Sequence, residues 1–159
     1  MIANIARWKI QYDPEATRIC YSQIAQGSPA DCNCTGCKNF ASAFDYAYPP
    51  EAKAIFDLLG IDFHKAAEVY RNGRLESGLH HYGGWFHLVG SIESGEEAWQ
   101  VIGDSSTSFR FHPEVLASHF SFGFSSRLAL VRESFLDQSL LQLEFVTEIP
   151  WVVAEPEPS

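Results

Sequence analysis

The chain is organised around one cysteine-rich stretch, Asp31-Cys32-Asn33-Cys34-Thr35-Gly36-Cys37-Lys38-Asn39-Phe40. This stretch holds three of the four cysteines of the 159-residue sequence within six positions. The spacing of apolar residues is extended before it and helical after it, so it marks a change of secondary structure. Gly36 and its small neighbours let the backbone curl, and the sulfurs can then converge on one point.

The spacing of these cysteines is typical of a metal site. Structural zinc is held tetrahedrally by Cys and His ligands, and two of them usually come from one tight C-x2-4-C turn. Cys34 and Cys37 form such a turn, and Cys32 adds a third sulfur from the same loop. The sequence therefore predicts a zinc ion on Cys32, Cys34 and Cys37. The candidates for its fourth ligand are His87, which is preferred, and His80, His81 and Cys20.

The same sulfurs permit three other interpretations. Cys34 and Cys37 form a C-x-x-C at the start of a predicted helix, where the thiolate is stabilised and redox chemistry is favoured. A thioredoxin-like motif follows a strand, however, whereas residues 26–31 have the composition of a loop. A metal with an open coordination position would make the chain an enzyme, with His87 or His80 as the proton-transfer partner. In the simplest case the thiols only pack as small hydrophobic groups.

Composition and charge exclude several classes of partner. Eleven Lys and Arg against twenty Asp and Glu give a formal net charge of −9. Such a charge repels nucleic acid and anionic membrane surfaces, and no apolar run approaches the roughly 18 residues of a membrane span. The first residues lack a basic segment followed by an apolar run, which predicts a cytoplasmic protein with reduced cysteines. The sequence leaves open the partner, whether small molecule or protein, the oligomeric state and any enzymatic activity.

The order of apolar residues predicts an α+β fold with an N-terminal hairpin. Residues 7–12 and 18–24 have the pattern of two strands on either side of a turn at 13–17. Apolar residues at helical spacing then predict three short helices. The first helix follows the cysteines and ends at residue 48, the second occupies residues 50–60, and the third occupies residues 62–72.

A second informative stretch, residues 79–88, reads Leu-His-His-Tyr-Gly-Gly-Trp-Phe-His-Leu. A Gly-Gly pair between extended runs favours a two-residue hairpin turn. In that hairpin one face carries His80, Tyr82, Trp85 and His87. If both glycines instead lie inside one continuous strand, the side chains that share a face are His81, Trp85 and His87. The stretch predicts a ligand-binding surface made of Tyr82, Trp85 and His80, with His87 directed to the metal.

The second half of the chain predicts an antiparallel sheet of five or six strands with one apolar face. Residues 119–125 and 141–146 alternate apolar and polar side chains, and the composition of residues 105–108 predicts a polar turn between strands. The length of the chain suits one domain over residues 1–153. The acidic, proline-containing residues 154–159 predict a flexible tail.

Three stretches of the chain resemble a set of uncharacterised bacterial proteins. They are Asp-Cys-x-Cys-x2-Cys-x-Asn-Phe at 31–40, Tyr-Gly-Gly-Trp-Phe-His at 82–87 and Gln-Leu-Glu-Phe-x3-Ile-Pro-Trp at 142–151. This resemblance implies no activity, cofactor or site residue. The sequence also lacks the P-loop, dinucleotide-binding, zinc-protease and nucleophile-elbow motifs. No motif in the sequence therefore indicates nucleotide binding or a common hydrolase mechanism.

Overall fold

The computed structural model describes residues 1–104 and 108–159, and its helices and strands confirm the α+β class. In chain order the elements are β1 (Ile2–Ile5), β2 (Trp8–Tyr12), α1 (Pro14–Ser22), α2 (Ser28–Asp31), α3 (Thr35–Ser42), α4 (Phe44–Ala47), α5 (Pro50–Leu59), β3 (Glu68–Arg74), β4 (His80–Ser94), β5 (Trp99–Val101), β6 (Phe109–Phe111), β7 (Glu114–Ala117), β8 (Phe120–Ser125) and β9 (Leu140–Ile149). One turn of 3-10 helix, Glu133–Phe135, precedes β9. Positions 105–107 of the predicted polar turn lie outside the described residues.

One seven-stranded antiparallel sheet forms the body of the fold, in the order β1-β2-β4-β9-β8-β7, with β3 also paired to β4. The fifteen-residue β4 is its central strand. On one side β9 pairs with residues 80–89 of β4. On the other side β3 pairs with residues 80–85 and β2 with residues 90–94. The N-terminal hairpin thereby joins the same sheet as the second half of the chain.

Gly83 and Gly84 lie inside β4, so the predicted hairpin turn at this point is wrong and the continuous-strand alternative is confirmed. Neither glycine has a positive φ angle. Glycine is needed here because neighbouring strands approach closely. A Cβ on Gly84 would lie 2.8 Å from Phe145 Cζ, and one on Gly83 would collide with the ring of Tyr70.

The N-terminal hairpin is confirmed, but β1 and β2 form it. The predicted second strand, residues 18–24, is wrong because most of this segment belongs to α1. Asp13 caps that helix by accepting the Ala16 N–H at 2.9 Å, and Pro14 occupies the first turn. The buried side chains of α1 have the helical spacing i, i+3 and i+4, and they are Thr17, Cys20 and Tyr21.

Of the three predicted helices, only the second has the predicted extent, as α5, which ends at Gly60 with a φ angle of +78°. The first is divided at Ala43 into α3 and α4. The third, over residues 62–72, is wrong, since β3 occupies much of this segment and pairs with β4. The edge of β4 offers this segment a ladder of backbone hydrogen bonds, which outweighs a short local helix.

The helices cover one face of the sheet, where aromatic rings build the core. Phe40 of α3, Tyr48 after α4 and Phe56 of α5 are buried. They pack against Phe86 of β4 and Phe145 of β9, with ring centroids 5.0 to 6.1 Å apart. These contacts position α3, and with it the cysteines, against β3 and β4.

The opposite face of the sheet is set by the two-residue period of its strands. Across the β4–β9 pair, Trp85 lies opposite Glu144 and His87 lies opposite Gln142. The β5–β6 hairpin lies over part of this face, because a Cβ added at Gly123 of β8 would collide with the residue that precedes β5. Its two strands lie on either side of the predicted polar turn in the sequence.

The C-terminal residues contact the domain through hydrogen bonds and ion pairs. Glu157 Oε1 lies 2.8 Å from His80 Nε2 and 2.9 Å from Arg74 Nε, and Glu155 Oε1 lies 3.4 Å from Lys38 Nζ. Ion pairs near the surface are screened by solvent and hold a chain end only weakly. The flexibility predicted for residues 154–159, and the domain boundary at residue 153, stay predictions.

Candidate metal centre

The three clustered cysteines lie at the junction of α2 and α3. Cys32 follows α2 as its C-cap, Cys34 is the N-cap of α3, and Cys37 lies in the first turn of α3. The Cys34 sulfur accepts the Cys37 backbone N–H at 3.3 Å, so the start of the helix brings these two residues together. All three sulfur atoms lie within 4.8 Å of one another, an arrangement that is compatible with a metal site.

The sulfurs differ in exposure and in pKa. Cys32 and Cys34 are exposed, whereas Cys37 is buried. The Cys37 backbone N–H lowers the pKa of the Cys34 thiol below its ordinary value of 9.0. Burial raises the pKa of the Cys37 thiol, and the two neighbouring sulfurs raise it further. A bound metal cation would favour the thiolate form of every sulfur it contacts.

Contacts with β3 and β4 fix the backbone of the cysteine loop. Tyr82 of β4 is buried, and its hydroxyl donates to the Gly36 carbonyl at 2.9 Å. Gly36 also lies beside Arg71 of β3, whose Cβ and Cδ would be 3.8 Å from a Cβ at that position. The loop is therefore attached to the sheet by contacts that need no metal.

Asn39, which the sequence analysis did not single out, anchors α3 to the end of the chain. Its side chain is fully buried. The Nδ2 group donates to the Pro150 carbonyl at 3.1 Å and to the Tyr82 hydroxyl at 3.4 Å, and Oδ1 accepts the Val152 N–H at 2.7 Å. In the sequence, the one indication of this role is that Asn39 is a polar residue of a predicted helix next to the apolar Phe40. An amide buried at such a position needs hydrogen-bond partners, which distant segments supply.

His87, the preferred fourth ligand, does not reach the sulfurs. Within the described chain, the group of close Cys, His, Asp and Glu ligand atoms contains Cys32, Cys34 and Cys37 alone. The ring of His87 is buried, and its Nε2 lies 2.9 Å from Gln142 Oε1. Burial lowers the pKa of His87. Its side chain lies on the sheet face opposite Tyr82, because the two residues have opposite parity along β4.

The other candidates for the fourth ligand have partners elsewhere or lie in another element. His80 is buried, with its Nδ1 3.2 Å from Arg71 Nη1 and its Nε2 2.8 Å from Glu157. His81 Nδ1 lies 3.0 Å from Asn72 Nδ2. Cys20 is buried in α1, and burial raises the pKa of its thiol. The structure brings none of the three to the sulfurs.

The predicted ligand-binding residues separate between the two faces of the sheet. Tyr82 and His80 lie on the face that the helices cover, and both are almost inaccessible. Trp85 lies on the opposite face and lines a cleft there. The continuous course of β4 causes this separation, since neighbouring residues of a strand point to opposite faces.

The redox interpretation receives mixed support from the local fold. Cys34 and Cys37 are free thiols at the start of α3, as the C-x-x-C motif predicts. The segment before them is α2 and its connection, whereas a thioredoxin-like motif follows a strand.

The chain matches no family model, no curated protein and no solved structure. The resemblance to uncharacterised bacterial proteins therefore stays a prediction. Among the helices of the described residues, none has both the length and the apolarity that crossing a membrane requires.

Proposed function

We propose that the chain is a cytoplasmic binding domain in which Cys32, Cys34 and Cys37 hold a zinc ion. The grouping of three sulfurs within 4.8 Å supports this most directly. Zinc binds thiolates at about 2.3 Å in a tetrahedron, whose sulfurs are about 3.8 Å apart, so only a small closure of the loop is needed. A cytoplasmic location suits the site because a reducing compartment keeps thiols available to a metal.

The proposed ion has a structural role. It links the end of α2 to the first turn of α3, and so adds to the contacts that Tyr82 and Arg71 already make at Gly36. An ion that binds the folded state alone stabilises it by about 4 kcal/mol at a thousandfold excess over its dissociation constant. The fourth position is left to a donor from a binding partner, which would close the site, since no other close ligand atom of the described residues joins the group.

Thiol redox chemistry is the second candidate. Cys34 is exposed, and the Cys37 N–H lowers the pKa of its thiol, which are the properties of an attacking cysteine. The metal-dependent enzyme has less support, because His87 lies on the opposite sheet face and His80 is held by Arg71 and Glu157. Neither histidine is placed to transfer a proton at the sulfurs.

Elemental analysis of protein purified without chelator or affinity metal tests the proposal. We expect about one zinc per chain, protected thiols, and a lower melting temperature after chelation. Serine variants of Cys32, Cys34 and Cys37 should lose the zinc. Cys20→Ser is the matched control, because Cys20 is buried in α1 and outside the group, and it should keep the metal.

The alternatives give different results in the same samples. No metal together with a Cys34–Cys37 disulfide of defined midpoint potential would replace the zinc proposal with redox chemistry. No metal together with unreactive thiols would contradict both and leave the cysteines as packing groups.

A further inference from the structure

A second candidate site lies on the sheet face opposite the helices, in a cleft of about 730 Å³. Aromatic side chains from four strands line it: Tyr70 of β3, Trp85 of β4, Trp99 of β5 and Phe109 of β6. Its volume is within the range of roughly 300 to 1,000 Å³ that is typical of small-molecule sites. The cleft is therefore large enough for an organic ligand with one or two rings.

The two tryptophans of the cleft are held in place by neighbouring groups. Trp85 Nε1–H donates to the Ala129 carbonyl at 2.9 Å, and the Trp85 ring packs 6.3 Å from that of Tyr70. The Trp99 ring packs 5.1 Å from that of Phe111. Rings fixed in this way lose little conformational freedom when a ligand binds.

A buried carboxylate, Glu144 of β9, is aimed into the same cleft. Its residue is only 8% exposed, and its Oε1 accepts the Gln142 Nε2–H at 2.7 Å. Gln142 is itself oriented, because its Oε1 accepts the Ala129 N–H at 2.9 Å and lies 2.9 Å from His87 Nε2. This chain of bonds turns the amide N–H of Gln142 towards Glu144, which is left as a hydrogen-bond acceptor.

Glu144 has no basic partner in the described part of the chain, where no ion pair includes it. The basic residue at the cleft, Arg127, is exposed and places its guanidinium 3.7 Å from the Phe109 ring centroid. Burial raises the pKa of Glu144, whereas bonds from Trp99 and Gln142 and the charge of Arg127 oppose that rise. A buried carboxylate that no cation contacts directly is costly, and a cationic ligand in contact with it would relieve the cost.

We propose that this cleft binds a small organic cation, an ammonium group on an apolar or aromatic arm. The ammonium lies at Glu144 between the tryptophan rings, whose faces attract positive charge. Arg127 already shows a cation on an aromatic ring of this cleft, and its exposed side chain can move outward. The net charge of −9 also favours a positive ligand over an anion. This site uses none of the cysteines, so the proposal is independent of the zinc proposal.

Titration with a matched pair of probes tests the proposal. The reduced 159-residue chain is titrated with 2-phenylethylammonium and with its neutral analogue 2-phenylethanol, and tryptophan fluorescence and calorimetry report binding. We expect the cation to bind at least about tenfold more tightly than the alcohol. The anionic analogue 3-phenylpropanoate is titrated in the same way. If it binds more tightly than the cation, the proposal is overturned, because Arg127 would then be the recognition group.

Two substitutions on β9 separate the carboxylate of the cleft from general charge effects. Glu144→Gln keeps the shape of the side chain and should abolish the preference for the cation. Glu148→Gln is the control, because Glu148 has the same parity on β9 but lies opposite His81, outside the cleft, and it should bind as the wild type does.

Trp99→Leu tests the aromatic part of the cleft independently of Glu144. This substitution in the short strand β5 should weaken cation binding at least about tenfold. Circular dichroism checks that each variant is folded. Unchanged selectivity in folded Glu144→Gln, or unchanged affinity in folded Trp99→Leu, would overturn the proposal.

Discussion

Asn39→Ala is the substitution whose effect on stability follows most directly from the structure. The buried Asn39 side chain makes hydrogen bonds to Pro150, Val152 and Tyr82. Alanine removes all of them and leaves the Pro150 carbonyl and the Val152 N–H without their partner. Tyr82 is less affected, because its hydroxyl still donates to the Gly36 carbonyl at 2.9 Å.

The expected loss of stability is about 2 to 4 kcal/mol. Each buried polar group left without a partner costs about 1 to 3 kcal/mol, and two groups are left here. Water that enters beside the half-exposed Val152 offsets part of this cost. The loss is a large fraction of the roughly 5 to 15 kcal/mol by which a domain is stable.

Urea unfolding followed by far-ultraviolet circular dichroism measures this difference, and the slope m should stay unchanged. Asn72→Ala is the matched control, because Asn72 is exposed and makes one bond to His81. It should change the free energy of unfolding by no more than about 0.5 kcal/mol. A loss below about 1 kcal/mol for Asn39→Ala would refute the anchoring role.

Two further predictions concern β4 and the cleft. Gly84→Ala should destabilise the protein by about 1 to 3 kcal/mol in urea unfolding, because its Cβ meets the backbone of β3 and the buried Phe145 ring. Gly83→Ala should cost less, since the half-exposed Tyr70 ring can move, and equal costs would contradict this account. Because burial raises the pKa of Glu144, the folded state retains its proton to higher pH than the unfolded state. Stability relative to Glu144→Gln should therefore fall as pH rises from 4.5 through the folded pKa, and a difference that is independent of pH would refute this.

The cysteine group could be predicted from the sequence because its geometry is local. Cys32, Cys34 and Cys37 are brought together by one loop and the first turn of one helix. The fourth ligand could not be predicted in this way. The side chain of His87 lies on the sheet face opposite Tyr82, and only the continuous course of β4 determines that placement.

Apart from Trp85, the residues of the aromatic cleft had no local signal. Its residues come from β3, β4, β5, β6 and β9, and they meet only when the sheet has formed. The alternation of apolar and polar residues along β9 gives Glu144 the pattern of a solvated surface carboxylate. The covering β5–β6 hairpin is what buries it.

Features that depend on neighbours in the chain could be predicted from the sequence. These are the α+β class, the cysteine loop, the helix that ends at Gly60 and the alternating strand β9. Long-range contacts set the secondary structure of the segments whose local preference was weak. Residues 62–72 had a possible helical spacing, but pairing with β4 made most of the later part a strand. Gly83 and Gly84 lie inside β4, where neighbouring groups approach closely, and do not form a turn. Short elements gain most of their stability from long-range pairing and burial, and local propensity does not measure either contribution.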